Sequence, residues 1–356
     1  MTPIGKAYAM QRILLLAAAL AASAAAAGAQ EVKHFKAWTA VCDNLKTCSA
    51  LGYTEDGTDN DAFIRLSRAA GPGASPMVSL GLDPSSSDKA PLSWRVGVDG
   101  ATPAGLEAVA MKDVDGVLRA RLSPAQSAAL ASALRNGTQL SLSGGGVRVS
   151  IGLSGSSASM LWIDDRQGRV GTVTALAARG PKSASAVPAA PPAPVVRPAP
   201  AVSQAGLPAK LPKAILASPR LKDCDSEDAL SQDPLIARLG PGQVLWGAPC
   251  SAGAYNLLSV LFVADEAGRG AREITAPDAQ AADPNADDEL MNLDYDAKTR
   301  MLTSFAKARG LGDCGSQASW VWDGKAFRLL DETVMPDCKG VTSDDWPSLY
   351  HAVLAR

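Results

Sequence analysis

Ser319-Trp320-Val321-Trp322-Asp323-Gly324-Lys325-Ala326-Phe327-Arg328-Leu329 sets two runs of alternating apolar residues around a turn dipeptide. Period-two alternation places every second side chain on one face of a strand, and Asp-Gly readily supplies the positive φ of a two-residue primed turn. The spacing predicts a hairpin in which Trp322 faces Lys325 and Trp320 faces Phe327, with Leu329 on the same side. This face reads as core, because an aromatic pair across strands contributes roughly 0.2–1 kcal/mol only when it packs.

The same pattern recurs along the chain. Leu92-Ser93-Trp94-Arg95-Val96-Gly97-Val98 alternates strictly and ends at Asp99-Gly100. Gln243–Gly247 and Tyr255–Ala264 read as strands separated by a Pro249-Cys250 turn. Two helices interrupt the strands. Ser123-Pro124 offers an N-cap followed by proline at the first helical position, Ala125–Arg135 continues the helix, and Asn136-Gly137 stops it. A second helix is expected from about Ser156 to Gln167, closing at Gly168. The predicted fold is α+β, predominantly antiparallel β.

Composition divides the chain. Residues 181–212 hold nine prolines and nine alanines in 32 positions, without hydrophobic periodicity. Proline fixes φ and removes a donor, so the segment is expected to be a semi-extended linker. It separates an N-terminal β-rich domain with two short helices (30–180) from an acidic C-terminal β-rich domain (213–356). The second carries 22 acids and 14 bases, whereas 30–180 carries 14 acids and 15 bases. Neither has the basic field that nucleic-acid binding requires, so no nucleic-acid partner is expected.

Residues 1–29 read as a secretory signal peptide. Lys6 and Arg12 precede an apolar run from Ile13 to Ala22, and Ala27-Gly28-Ala29 supplies a small-residue exit before Gln30. The start is Met1 or Met10. The later apolar run Leu257–Ala264 is too short to span a bilayer. Periplasmic or secreted location follows, without membrane insertion after signal cleavage. Six cysteines in an exported chain then imply three disulfides, and spacing favours neighbours: Cys42–Cys48, Cys224–Cys250 and Cys314–Cys338.

Several motifs together resemble a proteobacterial family of exported proteins known only as a domain of unknown function. They begin with Phe35-Lys36-Ala37-Trp38-Thr39-Ala40-Val41-Cys42-Asp43-Asn44 and continue through Pro249-Cys250-Ser251-Ala252-Gly253-Ala254-Tyr255-Asn256. Arg309-Gly310-Leu311-Gly312-Asp313-Cys314-Gly315, Trp322-Asp323-Gly324 and Pro336-Asp337-Cys338-Lys339-Gly340 complete them. The opening Phe-x-x-Trp-x-x-x-Cys also resembles the invasion-associated locus B proteins. Neither resemblance supplies catalytic residues.

Motifs for known chemistries are sparse. The two histidines, His34 and His351, lie near the ends of the mature chain, which does not suggest a Ser-His-Asp triad or a multi-histidine metal site. Ser86-x-x-Lys89 and Ser304-x-x-Lys307 lack the Lys-Thr-Gly partner of serine–lysine enzymes. Gly310-x-Gly312-x-x-Gly315 has the glycine spacing of a dinucleotide loop, but a hairpin rather than a helix follows it. No cofactor is implied.

Acidic residues crowd 278–296. Asp283, Asn285 and Asp287 match the first, third and fifth ligand positions of a calcium loop, but Asp288 stands where glycine is favoured. The solvated acidic loop is the better reading, so no metal is assigned. Trp246, Trp320, Trp322 and Trp346 fall in the acidic domain, and an exposed ring beside charge is a binding anchor. Trp246, Trp346, Asp287, Asp288 and Glu289 are therefore the candidate binding residues, for a cationic protein or an envelope glycan. The expected function is non-catalytic binding in the bacterial envelope; the alternative is a carboxylate-dependent hydrolase acting on envelope polysaccharide.

Overall fold

The computed structural model describes residues 31–57, 60–84, 93–222, 224, 229, 231–279 and 290–355. The expected signal peptide lies outside the described residues.

In the N-terminal half, β1 (Glu31–Phe35), β2 (Trp38–Cys42), β3 (Cys48–Tyr53), β4 (Asn60–Arg68) and β5 (Met77–Pro84) form an antiparallel meander. After β6 (Ser93–Val98) and β7 (Val109–Ala110), the strands β8 (Lys112–Val114) and β9 (Val117–Arg121) return to complete a seven-stranded sheet beside β5. A smaller sheet joins β6 and β7 to β10 (Gln139–Gly144) and β11 (Val147–Gly152). Helix α1 (Pro124–Leu134) starts as its sequence predicts. Ser123 Oγ accepts from Gln126 N–H, Gln126 returns a bond to the Ser123 amide, and proline occupies the first turn. Helix α2 (Ser156–Arg166) ends at Gly168, whose φ of 66° serves the helix exit. Both helices and the smaller sheet contribute to one core with Trp38, Trp94, Ile64 and Leu80.

The C-terminal half stacks two antiparallel sheets. The first contains β13 (Leu235–Gly240), β14 (Gln243–Ala252), β15 (Leu257–Ala264) and β16 (Arg272–Ile274), with β17 (Leu290–Met291) also pairing with β15. The second runs in order through β18 (Asp294–Asp296), β19 (Met301–Lys307), β20 (Gly315–Trp322), β21 (Phe327–Met335) and β22 (Ser348–His351). Trp320, Trp322, Phe327 and Leu329 pack between the sheets against Leu245, Leu261 and Val263, so the opening hairpin does present a core face. The disulfides are Cys42–Cys48, Cys224–Cys250 and Cys314–Cys338. The predominantly antiparallel β class and the local pairing agree with the sequence.

Two local expectations are corrected. The hairpin register is Trp322 opposite Phe327 and Trp320 opposite Leu329. Asp323 Oδ1 accepts from the amides of both Lys325 and Ala326 at 2.8 Å, which fixes a wider loop than a two-residue turn. It also brings the Trp322 and Phe327 rings edge to face at 5.2 Å. Pro249-Cys250 is not a turn: β14 continues through it with a register shift between Pro249 and Ser251. A bulge tolerates the missing proline donor, and Gly253 N–H instead bonds Asn256 O across the real turn.

Burial along β2 and β3 shows how the halves meet. A sheet with one wet face alternates in burial, yet every residue of Trp38–Cys42 and Cys48–Tyr53 is buried. The second face of these strands lies against the C-terminal half, where Leu51, Tyr53 and Phe63 share an apolar cluster with Met335, Val341 and Trp346. Polar contacts surround it: Arg65 donates to the Asp345 carbonyl at 3.0 Å, and Lys339 pairs with Asp56 at 2.5 Å.

The Ala/Pro segment does not stand clear of the protein. Within it, β12 (Val195–Val196) pairs in parallel with β23 (Val353–Leu354), and Ala199 N–H bonds the Trp322 carbonyl. Proline cannot occupy the middle of a central sheet, but two valines between Pro194 and Pro198 suffice for one edge pairing. Val196 is buried against Val321, Leu330 and Ala352.

Candidate functional site

The outward face of the second C-terminal sheet is covered at both ends and open between them. Val196 of the Ala/Pro segment covers Val321 and Leu330 at one end. At the other, Phe305 and Met335 meet the N-terminal half through Trp346 and Tyr53. Between them lies a cavity of about 370 Å³ whose lining includes Thr303, Gln317, Ser319, Asp331, Thr333 and Asn292. All six are half-buried.

Strand register assembles this slot. Thr303 lies opposite Ser319, Ser319 opposite Asp331, and Asp331 opposite His351. One step along, Phe305 pairs with Gln317 and Gln317 with Thr333. Asn292 is fully committed: its side chain accepts from Leu257 N–H at 2.9 Å and donates to the Phe305 carbonyl at 2.8 Å. By contrast, Thr333 Oγ1 is buried without a hydrogen-bond partner among the described residues. Phe305 offers little free ring face, because Trp346 meets it at 5.6 Å and Lys307 Nζ lies 5.4 Å from its centroid.

The order of groups decides the chemistry. A triad needs imidazole between the hydroxyl and the carboxylate. Here Asp331 lies between Ser319 and His351, with His351 Nδ1 2.5 Å from Asp331 Oδ1. At the second histidine the hydroxyl stands between imidazole and carboxylate, which is again not the triad order. Thr39 hydroxyl donates its proton to Asp337 and lies 3.0 Å from His34 Nδ1, so the ring nitrogen is its donor rather than its base. Thr39 is also only 2% exposed, which withholds it from substrate.

The site residues expected from sequence are not brought together. Trp246 is 0% exposed, packed with Ile215, Leu221 and Phe262, and Trp346 is 2% exposed with Nε1 donating to the Val341 carbonyl. Both central strand position and cover from residues 213–222 explain Trp246; the docked N-terminal half explains Trp346. Neither is an exposed anchor, which corrects that expectation. Asp287, Asp288 and Glu289, and the calcium candidates Asp283, Asn285 and Asp287, lie outside the described residues. Among the described residues, no group of three His, Cys, Asp or Glu is placed to hold a metal.

One buried carboxyl stands apart. Glu332 is 6% exposed, and burial, with Asp278 adding repulsion, pushes its pKa up to about 7. Its Oε2 accepts from Ala279 N–H at 2.7 Å, which opposes but does not reverse that shift. The Gly310–Gly315 stretch is a turn held by disulfide and ion pair: Cys314 bonds Cys338, and Arg309 pairs with Asp313, whose carboxylate also accepts from Gly340 N–H. It is not a phosphate cradle on a helix N-terminus.

Sequence reasoning missed Gln317, Asp331 and Thr333. A signal was present in Gln317-Ala318-Ser319-Trp320, where polar residues alternate with core residues. The missing piece was the long-range register that sets them beside Asp331 and Thr333.

Comparison with known proteins gives the family without an activity. The chain is 29% identical over 335 residues to the uncharacterized protein YpfG of Escherichia coli (strain K12), covering 89% of this chain and 91% of that protein. A crystal structure of invasion associated protein b from Bartonella henselae aligns with 39% of this chain and 99% of its own, at 16% identity and a TM-score of 0.28. The family model described as "Protein of unknown function (DUF1176)" matches residues 32–353, and the chain belongs to that family.

Proposed function

We propose that this is an exported, non-catalytic binding protein of the bacterial envelope, processed near Gln30, whose partner is an envelope protein or glycan. The observation that carries this reading is the polar slot on the C-terminal sheet, which gathers hydrogen-bonding groups without a nucleophile–base pair. Three disulfides are compatible with an oxidising compartment, and among the described residues no helix is long and apolar enough to cross a membrane. Biotinylated mature protein should capture an envelope component, and Gln317→Arg, which fills the slot, should lose it. Equal capture by both forms would count against the slot as the binding site.

The alternative, a carboxylate-dependent hydrolase acting on envelope polysaccharide, draws on Glu332 and its neighbour Asp278. Burial at 6% exposure and the bond to Ala279 favour a structural role for Glu332 over an acid reaching a glycosidic oxygen. Polysaccharide turnover abolished by Glu332→Gln would support the hydrolase instead.

A further inference from the structure

We infer that the slot takes a neutral, polyhydroxylated ligand, a sugar ring held edge-on by hydrogen bonds; this rests on the binding reading above. The four groups that face a ligand are Ser319, Gln317, Asp331 and Thr333. Register sets Ser319 opposite Asp331 and Gln317 opposite Thr333, with one residue of each strand between the pairs. Neighbouring strands lie about 4.8 Å apart and alternate residues about 6.8 Å apart, so the four form a rectangle on the scale of one sugar ring.

The chemistry of the corners selects the ligand. A sugar hydroxyl both donates and accepts, and here two hydroxyls and an amide can do the same while a carboxylate accepts. Among the described lining residues there is no lysine or arginine, and Lys307 is engaged over the Phe305 ring at 5.4 Å, so a phosphate or sulfate would meet Asp331 with little compensation. An acyl chain would strand the polar groups without partners. A simple amine is a weaker fit, because Asp331 already has His351 at 2.5 Å. Thr333 lines the slot, and its Oγ1 is buried and unpartnered among the described residues; a turn about the Cα–Cβ bond would bring that hydroxyl to a ligand hydroxyl. With the Phe305 ring engaged by Trp346 and Lys307, hydrogen bonds rather than stacking must hold the ring.

The test uses full-length mature protein in ligand-observed NMR with N-acetylglucosamine, glucose and maltose. Glucose 6-phosphate and putrescine are the anionic and cationic controls. Thr333→Val removes only the unpartnered hydroxyl, so the fold should be as stable as before or more so. The expected result is binding of at least one neutral sugar, weakened about tenfold by Thr333→Val and by Ser319→Ala, with both controls weaker. Binding of no neutral sugar, equal sugar binding by both variants, or preference for putrescine or the phosphate would each overturn the inference. If the sugars fail while Gln317→Arg still abolishes envelope capture, the ligand class falls and the binding site stands; if capture is indifferent to Gln317→Arg, the site itself falls.

Discussion

Asn44 of the N-terminal half grips His351 of the C-terminal half with both atoms of its amide. Its Oδ1 accepts from His351 N–H at 2.8 Å and its Nδ2 donates to the His351 carbonyl at 3.0 Å. A side-chain amide thus acts as one more rung on the free edge of β22, and it fixes the strand whose imidazole meets Asp331. Asn44→Ala removes both bonds and leaves a half-buried backbone amide and carbonyl to find water. The expected loss is about 1–3 kcal/mol. A urea melt should show a lower midpoint with an unchanged slope, which separates lost stability from lost compactness.

Trp38 lies flat over its cross-strand partner Gly52, and its Nε1 donates to the Gly152 carbonyl at 2.9 Å. A Cβ on residue 52 would come within 2.5 Å of the indole, which is 1% exposed and has nowhere to move. Gly52→Ala should cost about 1–3 kcal/mol through overpacking. Gly73→Ala, where a Cβ meets nothing within 4 Å, is the control and should be near neutral. Thermal denaturation of the two variants checks the contrast.

Glu332 gives the fold a pH dependence of defined sign. Its folded pKa, about 7, lies above its ordinary value of 4.5. The folded state therefore binds the extra proton between those values. Stability from this group is fully present below about pH 4.5 and declines as pH rises toward 7, by up to about 3 kcal/mol. Glutamine keeps an acceptor for Ala279 N–H and never ionises. Glu332→Gln should flatten the decline and raise the melting temperature at about pH 8 relative to about pH 5. A variant whose pH profile parallels the parent would show that Glu332 does not set it.

The Ala/Pro segment offers a direct test of domain independence. Ser203, Ala205 and Gly206 are exposed, which suits this stretch to a protease nick, although Arg238 holds the carbonyls of Ser203 and Ala205. After cleavage there, the two pieces should still co-elute in gel filtration, because Leu51, Tyr53 and Phe63 remain packed on Met335 and Trp346. Separate elution would establish two autonomous domains joined only by a tether.

What the sequence disclosed follows the range of the interaction. The Ser123 cap, the Gly168 helix exit and the Cys314–Cys338 pairing were legible because each depends on neighbours within a few turns of chain. The hairpin core face was legible too, since a register error of two residues leaves every side chain on its own side. The register itself was not, because Asp323 capping two amides competes with the primed turn. Burial of Trp246 and Trp346 escaped because their covers come from residues 213–222 and from the other half of the chain. The slot was least visible. Its polar positions look like an ordinary wet strand face until Val196 and the N-terminal half close its two ends.

A photo-crosslinking residue at position 317 tests the central claim most directly. It would sit on the slot floor of the mature protein, with the same residue at exposed position 148 as the comparison. Irradiation in native envelope should give a discrete adduct from position 317 and none from 148. Adducts from 148 alone, or from neither position, would contradict a binding protein that works through this slot.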